Sequence, residues 1–75
     1  MICYDNIGGN SGIRAYDIGA DFIIVQFRDG GTYLYTYERT GNAVVEQMKT
    51  LASSGSGLNS FISRTVRKNY AVKLS

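Results

Sequence analysis

Four cations gathered near the C-terminal end of the sequence are the residues whose types and spacing most clearly point to binding. Residues 59–75 contain no acid, whereas residues 1–58 hold four cations against six acids. Lysine and arginine side chains are the groups that contact nucleic-acid phosphates. The alternative is a solvated helix face whose cations lie near a helix C-terminus. The predicted nucleic-acid-binding residues are Arg64, Arg67, Lys68 and Lys73.

Three alternating tyrosines, Tyr33, Tyr35 and Tyr37, are the second candidate for binding. Aromatic side chains on the open face of a sheet can stack with nucleic-acid bases. The alternative is that they belong to the core and that their hydroxyls reach its rim. A chain of 75 residues needs that apolar area, so we favour the core for Tyr33 and Tyr35.

Catalytic and metal-binding patterns are weak. The sequence has no histidine and a single cysteine, Cys3, which removes the commonest general base and most transition-metal ligands. Asp17 and Asp21 flank a turn, but no enclosed pocket is expected around them. The serine- and glycine-rich stretch 53–57 lacks the Gly-Lys-Ser/Thr ending of a nucleotide-binding loop, so it reads as an interhelical turn. We therefore predict a protein that is not an enzyme and uses no metal or cofactor.

Composition places the chain in a broad class. A hydrophobic fraction of 44% and a charged fraction of 19% are typical of a globular protein. One cysteine cannot form an internal disulfide, and the longest apolar run, residues 22–25, is too short to span a bilayer. The first residues show no signal-peptide pattern. We expect a cytoplasmic protein.

The predicted fold class is α+β, with a small antiparallel three-stranded meander followed by two helices packed on one face. We expect one domain over 1–75. It consists of a loop or arm at 1–12, the meander at 13–37, a helical part at 42–68 and a tail at 69–75, extended or forming a short edge strand.

The hairpin loop at 29–31 decides which side chains face inward. A two-residue loop places Phe27 opposite Thr32, and a three-residue loop places it opposite Tyr33. We choose the second because it makes one face uniformly apolar or aromatic. Gly31 is then expected in the left-handed region. The residues expected to be buried together are Ile23, Val25, Phe27, Tyr33, Tyr35, Val45, Met48, Leu51 and Ile62.

Helical periodicity follows Gly41. Asn42 is the expected N-cap of the first helix, and Asn59 is a candidate ligand-binding residue whose alternative role is to cap the second.

The order of these motifs resembles the KTSC domain family, found at the C-terminus of some lysyl-tRNA synthetases and as free-standing short proteins of bacteria and phages. The resemblance covers about residues 11–70 and rests on Phe27, Gly30-Gly31, Tyr33-Leu34-Tyr35, Ser53-Ser54-Gly55 and Asn59-Ser60-Phe61-Ile62. Of the motif residues, Tyr33, Tyr35 and Asn59 are expected to have structural roles, in the core and in helix capping. An RNA-binding role has been suggested for the family, and that suggestion is what the resemblance implies for this chain.

Two functional classes follow. The first is a small non-enzymatic module that binds RNA or single-stranded nucleic acid. The second is a protein-interaction module, of which a phage-encoded protein that occupies a host protein's surface is one form. An exposed apolar patch would favour the second, and an exposed basic surface the first. The sequence leaves the oligomeric state open, and nothing in it indicates a membrane partner.

Overall fold

A computed structural model describes residues 1–5 and 12–75 of the chain. Within them, five strands form one antiparallel sheet in sequence order, and a helical layer follows the fourth strand. The elements are β1 (Ile2–Cys3), β2 (Ile13–Ile18), β3 (Phe22–Phe27), β4 (Thr32–Thr36), α1 (Tyr37–Thr40), α2 (Asn42–Ser54), α3 (Leu58–Phe61), a π-helical segment (Ile62–Val66) and β5 (Val72–Lys73).

The α+β class is confirmed, but the three-stranded meander is wrong in its strand number. The two strands it lacks, β1 and β5, are two-residue edge strands that pair with β2 and β4. Two residues are too few to show an alternating pattern, which is the sequence signal for a strand. The tail is thus a short edge strand. The expected arm at 1–12 is held to the sheet through β1, and its residues 6–11 lie outside the described residues.

The β3–β4 hairpin has a three-residue loop, but its position differs from the predicted one. The Phe27 N–H donates to the Gly31 carbonyl at 2.7 Å, and the Gly30 N–H donates to the Phe27 carbonyl at 3.1 Å. In this loop the glycine with positive φ is Gly30, at φ 103°. The prediction that Gly31 occupies the left-handed region is therefore wrong. Tyr33 lies opposite Val25 rather than Phe27. This two-residue difference leaves every side chain on its expected face, because alternation along a strand has a period of two.

The inner face of the sheet, defined by Ile23, Val25 and Tyr35, is buried under the helices. The predicted core is confirmed for these three residues and for Val45, Met48 and Ile62, which are all buried. The other predicted members, Phe27, Tyr33 and Leu51, are partly buried and pack against the same cluster. The helical periodicity therefore identified which helix faces meet the sheet.

The outer face of the sheet carries a second, smaller set of apolar side chains. Ile24, Leu34 and Val72 are consecutive cross-strand partners, with Phe22 nearby on β3. Val72 is 47% exposed, and the other three are partly exposed. None of the four belongs to the core cluster or packs against it. The helices of the described residues thus cover one side of the sheet.

The helix starts differ from the predicted ones. Tyr37, expected in a strand, begins α1, because the Thr36 hydroxyl accepts the Arg39 N–H at 3.1 Å and caps this helix. Gly41, at φ 101°, occupies the N-cap position of α2, and Asn42 is the first helical residue rather than the cap. The change to helical periodicity after residue 41 correctly indicates where α2 begins. The sequence places the N-cap at Asn42, one residue after its observed position at Gly41.

The first turn of α3 is stabilised by Tyr4, the residue that follows β1. The buried hydroxyl of Tyr4 accepts a hydrogen bond from the Leu58 N–H at 3.3 Å, and the Tyr4 ring meets Tyr16 edge-on. Asn59 lies inside α3, after Gly57 at the N-cap position, so its expected capping role is wrong. A tyrosine 54 positions away in sequence provides the capping oxygen instead. No helix in residues 1–5 and 12–75 has the length and hydropathy needed to cross a membrane.

Candidate nucleic-acid interface

A π-helical segment positions the first of the predicted cations. Over Ile62–Val66 the helix widens, and the Arg67 N–H donates to the Ile62 carbonyl at 2.5 Å, a bond spanning five residues. Ile62 and Val66 point into the core, which leaves Arg64 exposed. Single π turns occur often at functional sites. The local winding therefore separates a buried apolar side from an exposed cationic side.

The chain then turns sharply at Arg67. The Asn69 N–H donates to the Val66 carbonyl at 3.0 Å, which closes a four-residue turn. Arg67 has φ 54° and ψ −122°, the values of the first central residue of a type II′ turn. Glycine dominates at that position, because a side chain there is strained. Among the described residues, Arg67 is the one residue other than glycine with a positive φ.

Contacts on the C-terminal side of this turn hold the strained conformation. The buried Thr40 donates its hydroxyl hydrogen to the Asn69 carbonyl at 2.6 Å. Two residues later the Ala71 N–H donates to the Leu34 carbonyl at 2.8 Å, which leads the chain into β5. A strained residue costs about 1–3 kcal/mol and persists only where its surroundings determine the backbone. Helix α1 and strand β4 provide those surroundings here.

Three of the four predicted cations form one exposed group, which we call the cationic turn: Arg64, Arg67 and Lys68. All three are exposed, and within the described part of the chain none of them has an acidic partner. The Arg64 Nε donates to the Ser60 carbonyl of its own helix at 3.3 Å. Lys49, by contrast, lies 2.7 Å from a carboxylate oxygen of Glu46. The charge of the cationic turn is therefore available to an external anion.

Lys73, the fourth predicted cation, belongs to a different element. It lies on β5 opposite Tyr33, with its Nζ 5.9 Å from the centre of the Tyr33 ring. Cation–π contact of this kind leaves the ammonium exposed while its stem covers the aromatic ring. The ring of Tyr70, which follows the cationic turn, stacks on Tyr33 at 4.7 Å between centres.

Tyr35 is a core residue, and Tyr33 and Tyr37 are partly buried and pack against the core. Tyr35 is 1% exposed, and its burial raises the pKa of its hydroxyl to about 12. Tyr33 lies between the rings of Phe27 and Tyr70. Tyr37 begins α1 instead of ending a strand. These contacts favour the core over an open base-stacking platform for Tyr33 and Tyr35.

An exposed polar cluster links α1, α2 and the turn before β3. The Tyr37 hydroxyl donates a hydrogen bond to the Glu46 carboxylate, which also forms an ion pair with Lys49. The hydrogen bond to Glu46 is the main reason that the pKa of Tyr37 is raised, and the hydrogen bond from Lys49 is the main reason that the pKa of Glu46 is lowered. Lys49 also donates to the Ala20 carbonyl at 3.1 Å. We read this cluster as a structural clamp, because its charges are already paired.

Sequence reasoning missed a second cationic feature, formed by Arg14 and Arg28. These two exposed side chains line one open cleft of about 300 Å³. They are 14 positions apart, inside a part of the chain whose net charge is negative. A local charge count cannot detect them, because their proximity depends on the β2–β3 pairing. Elsewhere in the described residues, no three side chains of the metal-ligating types lie together.

No family model matches the chain, no curated protein is similar to it, and no solved structure is similar to it at the threshold applied.

Proposed function

We propose that this chain is a non-enzymatic module that binds nucleic acid weakly, through phosphate contacts from Arg64, Arg67 and Lys68. These side chains are exposed, lie within five residues of one another and have no acidic partner in the described part of the chain. Contacts of this kind position a protein on the backbone and carry little sequence preference. Lys73 could extend the surface along β5.

The conformation of Arg67 carries the proposal. A residue with a side chain occupies a turn position where glycine would relieve the backbone. Backbone strain of this kind clusters at functional sites, where the strained residue has a task that a relaxed one could not perform. The task that fits an exposed, unpaired arginine is to bind an anion, because its planar guanidinium donates two parallel hydrogen bonds to a phosphate.

The resemblance to the KTSC domain family supports the same class of ligand, since RNA binding has been suggested for that family. We include membership of that family in the proposal. The structure differs from the stacking mechanism that sheet-based RNA binders use, because the sheet tyrosines are packed. We therefore propose binding by the helical side of the domain rather than by the sheet.

A fluorescence-anisotropy titration with a labelled single-stranded RNA at low salt tests the proposal. We expect weak, saturable binding that is abolished by the double variant Arg64→Glu, Arg67→Glu. A thermal melt of that variant should show a folded domain, because both side chains are exposed. Arg39→Glu is the matched control, since Arg39 is an exposed arginine on α1 and lies outside the cationic turn. Absence of binding at high micromolar protein would end the proposal.

The protein-interaction alternative predicts a different outcome in a pull-down from lysate. A complex that survives nuclease treatment, with no salt-dependent RNA binding, would support it. The structural feature that favours it is the apolar row Ile24–Leu34–Val72 on the outer face. Because the cationic turn lies in the helical layer on the other side of the sheet, a variant of each surface can be tested separately.

A further inference from the structure

The cleft between Arg14 and Arg28 has features that neither the sequence nor the proposed function accounts for. Arg14 lies at an irregularity in the pairing of β2 with β3: Ile13 is opposite Phe27, and Ala15 is opposite Gln26. One extra residue on β2 is therefore left without a partner in the ladder. Such β-bulges redirect a side chain and occur often beside functional sites.

Arg14 and Arg28 each follow a residue of the inner face, Ile13 and Phe27. Ile13 and Tyr16 both lie opposite inner-face residues, Phe27 and Val25. The two residues between them, Arg14 and Ala15, therefore take the place that one residue has in a regular strand, and Ala15 is buried. Arg14 is exposed.

A backbone hydrogen bond fixes the position of Arg28 beside the start of β2. Its N–H donates to the Gly12 carbonyl at 2.7 Å, which ties the start of the hairpin loop to the start of β2. Within the described residues, neither Arg14 nor Arg28 has an ion pair or a side-chain hydrogen bond. The nearest acid in sequence, Asp29, uses one carboxylate oxygen to accept the Gly31 N–H at 3.1 Å.

Two unpaired guanidinium groups that line one cleft repel each other, and a shared anion removes that repulsion. Each guanidinium carries a planar fork of donors that matches the oxygens of a phosphate group. A cleft of about 300 Å³ is large enough for more than the phosphate itself. We propose that Arg14 and Arg28 form a phosphate-binding site that is separate from the cationic turn.

A titration of the ¹⁵N-labelled full chain with inorganic phosphate, followed by NMR, tests this site. We expect saturable shifts of the Arg14 and Arg28 Nε–H signals. Arg14→Gln should weaken binding about tenfold, in line with the loss of a charge-assisted pair of hydrogen bonds. Arg14→Lys keeps the charge but loses the fork, so we expect intermediate affinity. Arg39→Gln is the control and should leave the phosphate affinity unchanged.

Two further measurements complete the test. An RNA oligonucleotide with a 5′-phosphate, compared with its 5′-hydroxyl form, shows whether a nucleic-acid end or a free phosphate compound is the better source of the group. Arg64→Glu, Arg67→Glu should leave phosphate binding at the cleft intact, so failure of this site and failure of the proposed function are distinguishable. Shifts that do not saturate, or that are equally large at Arg39, would overturn the proposal.

Discussion

Two tight turns of this molecule bring the backbone to a positive φ, and they do so with opposite kinds of residue. In the β3–β4 hairpin the residue is Gly30, at φ 103°, with no other atoms where a side chain would begin. In the turn after the π-helical segment it is Arg67, at φ 54°. The hairpin has glycine, which adopts positive φ at little cost. The second turn has arginine, whose side chain makes positive φ unfavourable.

The difference separates a turn that serves the fold from one that we assign to function. The hairpin fixes the register between β3 and β4, so a relaxed glycine there favours folding. The second turn is closed by its own hydrogen bond and anchored by Thr40, so the fold would tolerate glycine at position 67 as well. A strained arginine at such a position is explained when its side chain has a ligand to bind.

Gly30→Val is expected to have the largest effect of the substitutions in these turns. A β-branched residue resists positive φ, so we expect the free energy of unfolding to fall by about 1–2 kcal/mol or more. Gly31→Val is the comparison at a neighbouring position without positive φ; its new Cβ would lie 3.2 Å from the Tyr33 ring, which must move by a few tenths of an ångström. Urea unfolding of both variants measures the difference. Equal losses would contradict the assignment of the left-handed position to Gly30.

Arg67→Gly should move stability in the other direction. Relief of the strained conformation, partly offset by the entropy of glycine, should raise the free energy of unfolding by about 1 kcal/mol. The same change should weaken RNA binding, because a cation is lost. Arg67→Ala separates the two effects, since it removes the cation and retains the strain. If Arg67→Gly is less stable than Arg67→Ala in urea unfolding, the turn is not strained and the comparison fails.

Both turns depend on one core, and Tyr35 determines how that core responds to alkaline pH. Burial raises the pKa of Tyr35 from 10.0 to about 12, so the folded state keeps the proton longer than the unfolded state does. The corresponding stability is fully present below pH 10 and is lost as the pH rises from 10 towards 12. Near neutral pH the stability therefore does not change with pH through this group. Unfolding midpoints in urea between pH 8 and pH 11.5, compared with Tyr35→Phe, measure it, and identical profiles would contradict it.

Alternation and helical periodicity were enough to predict the α+β class, the inner face and the helix stripe. Ile23, Val25, Val45 and Met48 are all buried as predicted, because faces depend on period and not on the exact partner. The predicted β3–β4 register differs from the observed one by two residues. The alternation could not reveal this, because a shift of two residues keeps every side chain on its face. Edge strands of two residues and the helix cap provided by Tyr4 depend on tertiary contacts that no local pattern encodes.

The candidate site could be predicted only in part. A count of charges along the chain identified Arg64, Arg67 and Lys68, which are adjacent because they are close in sequence. It could not detect the strain at Arg67, which arises from the way the chain passes from the π-helical segment to β5. Nor could it detect that Arg14 and Arg28 line one cleft, which depends on the pairing of β2 with β3.

The most direct test of the central claim is the salt dependence of RNA affinity for the wild-type chain and for Arg67→Gly. With three or four phosphate contacts on a single strand, log K against log salt should have a slope of about −2 to −3. Arg67→Gly should reduce the magnitude of that slope by about 0.7, the contribution of one cation on a single strand, while its thermal midpoint rises. An unchanged slope in Arg67→Gly, or no salt dependence in the wild type, would contradict the claim that the strained arginine serves phosphate binding.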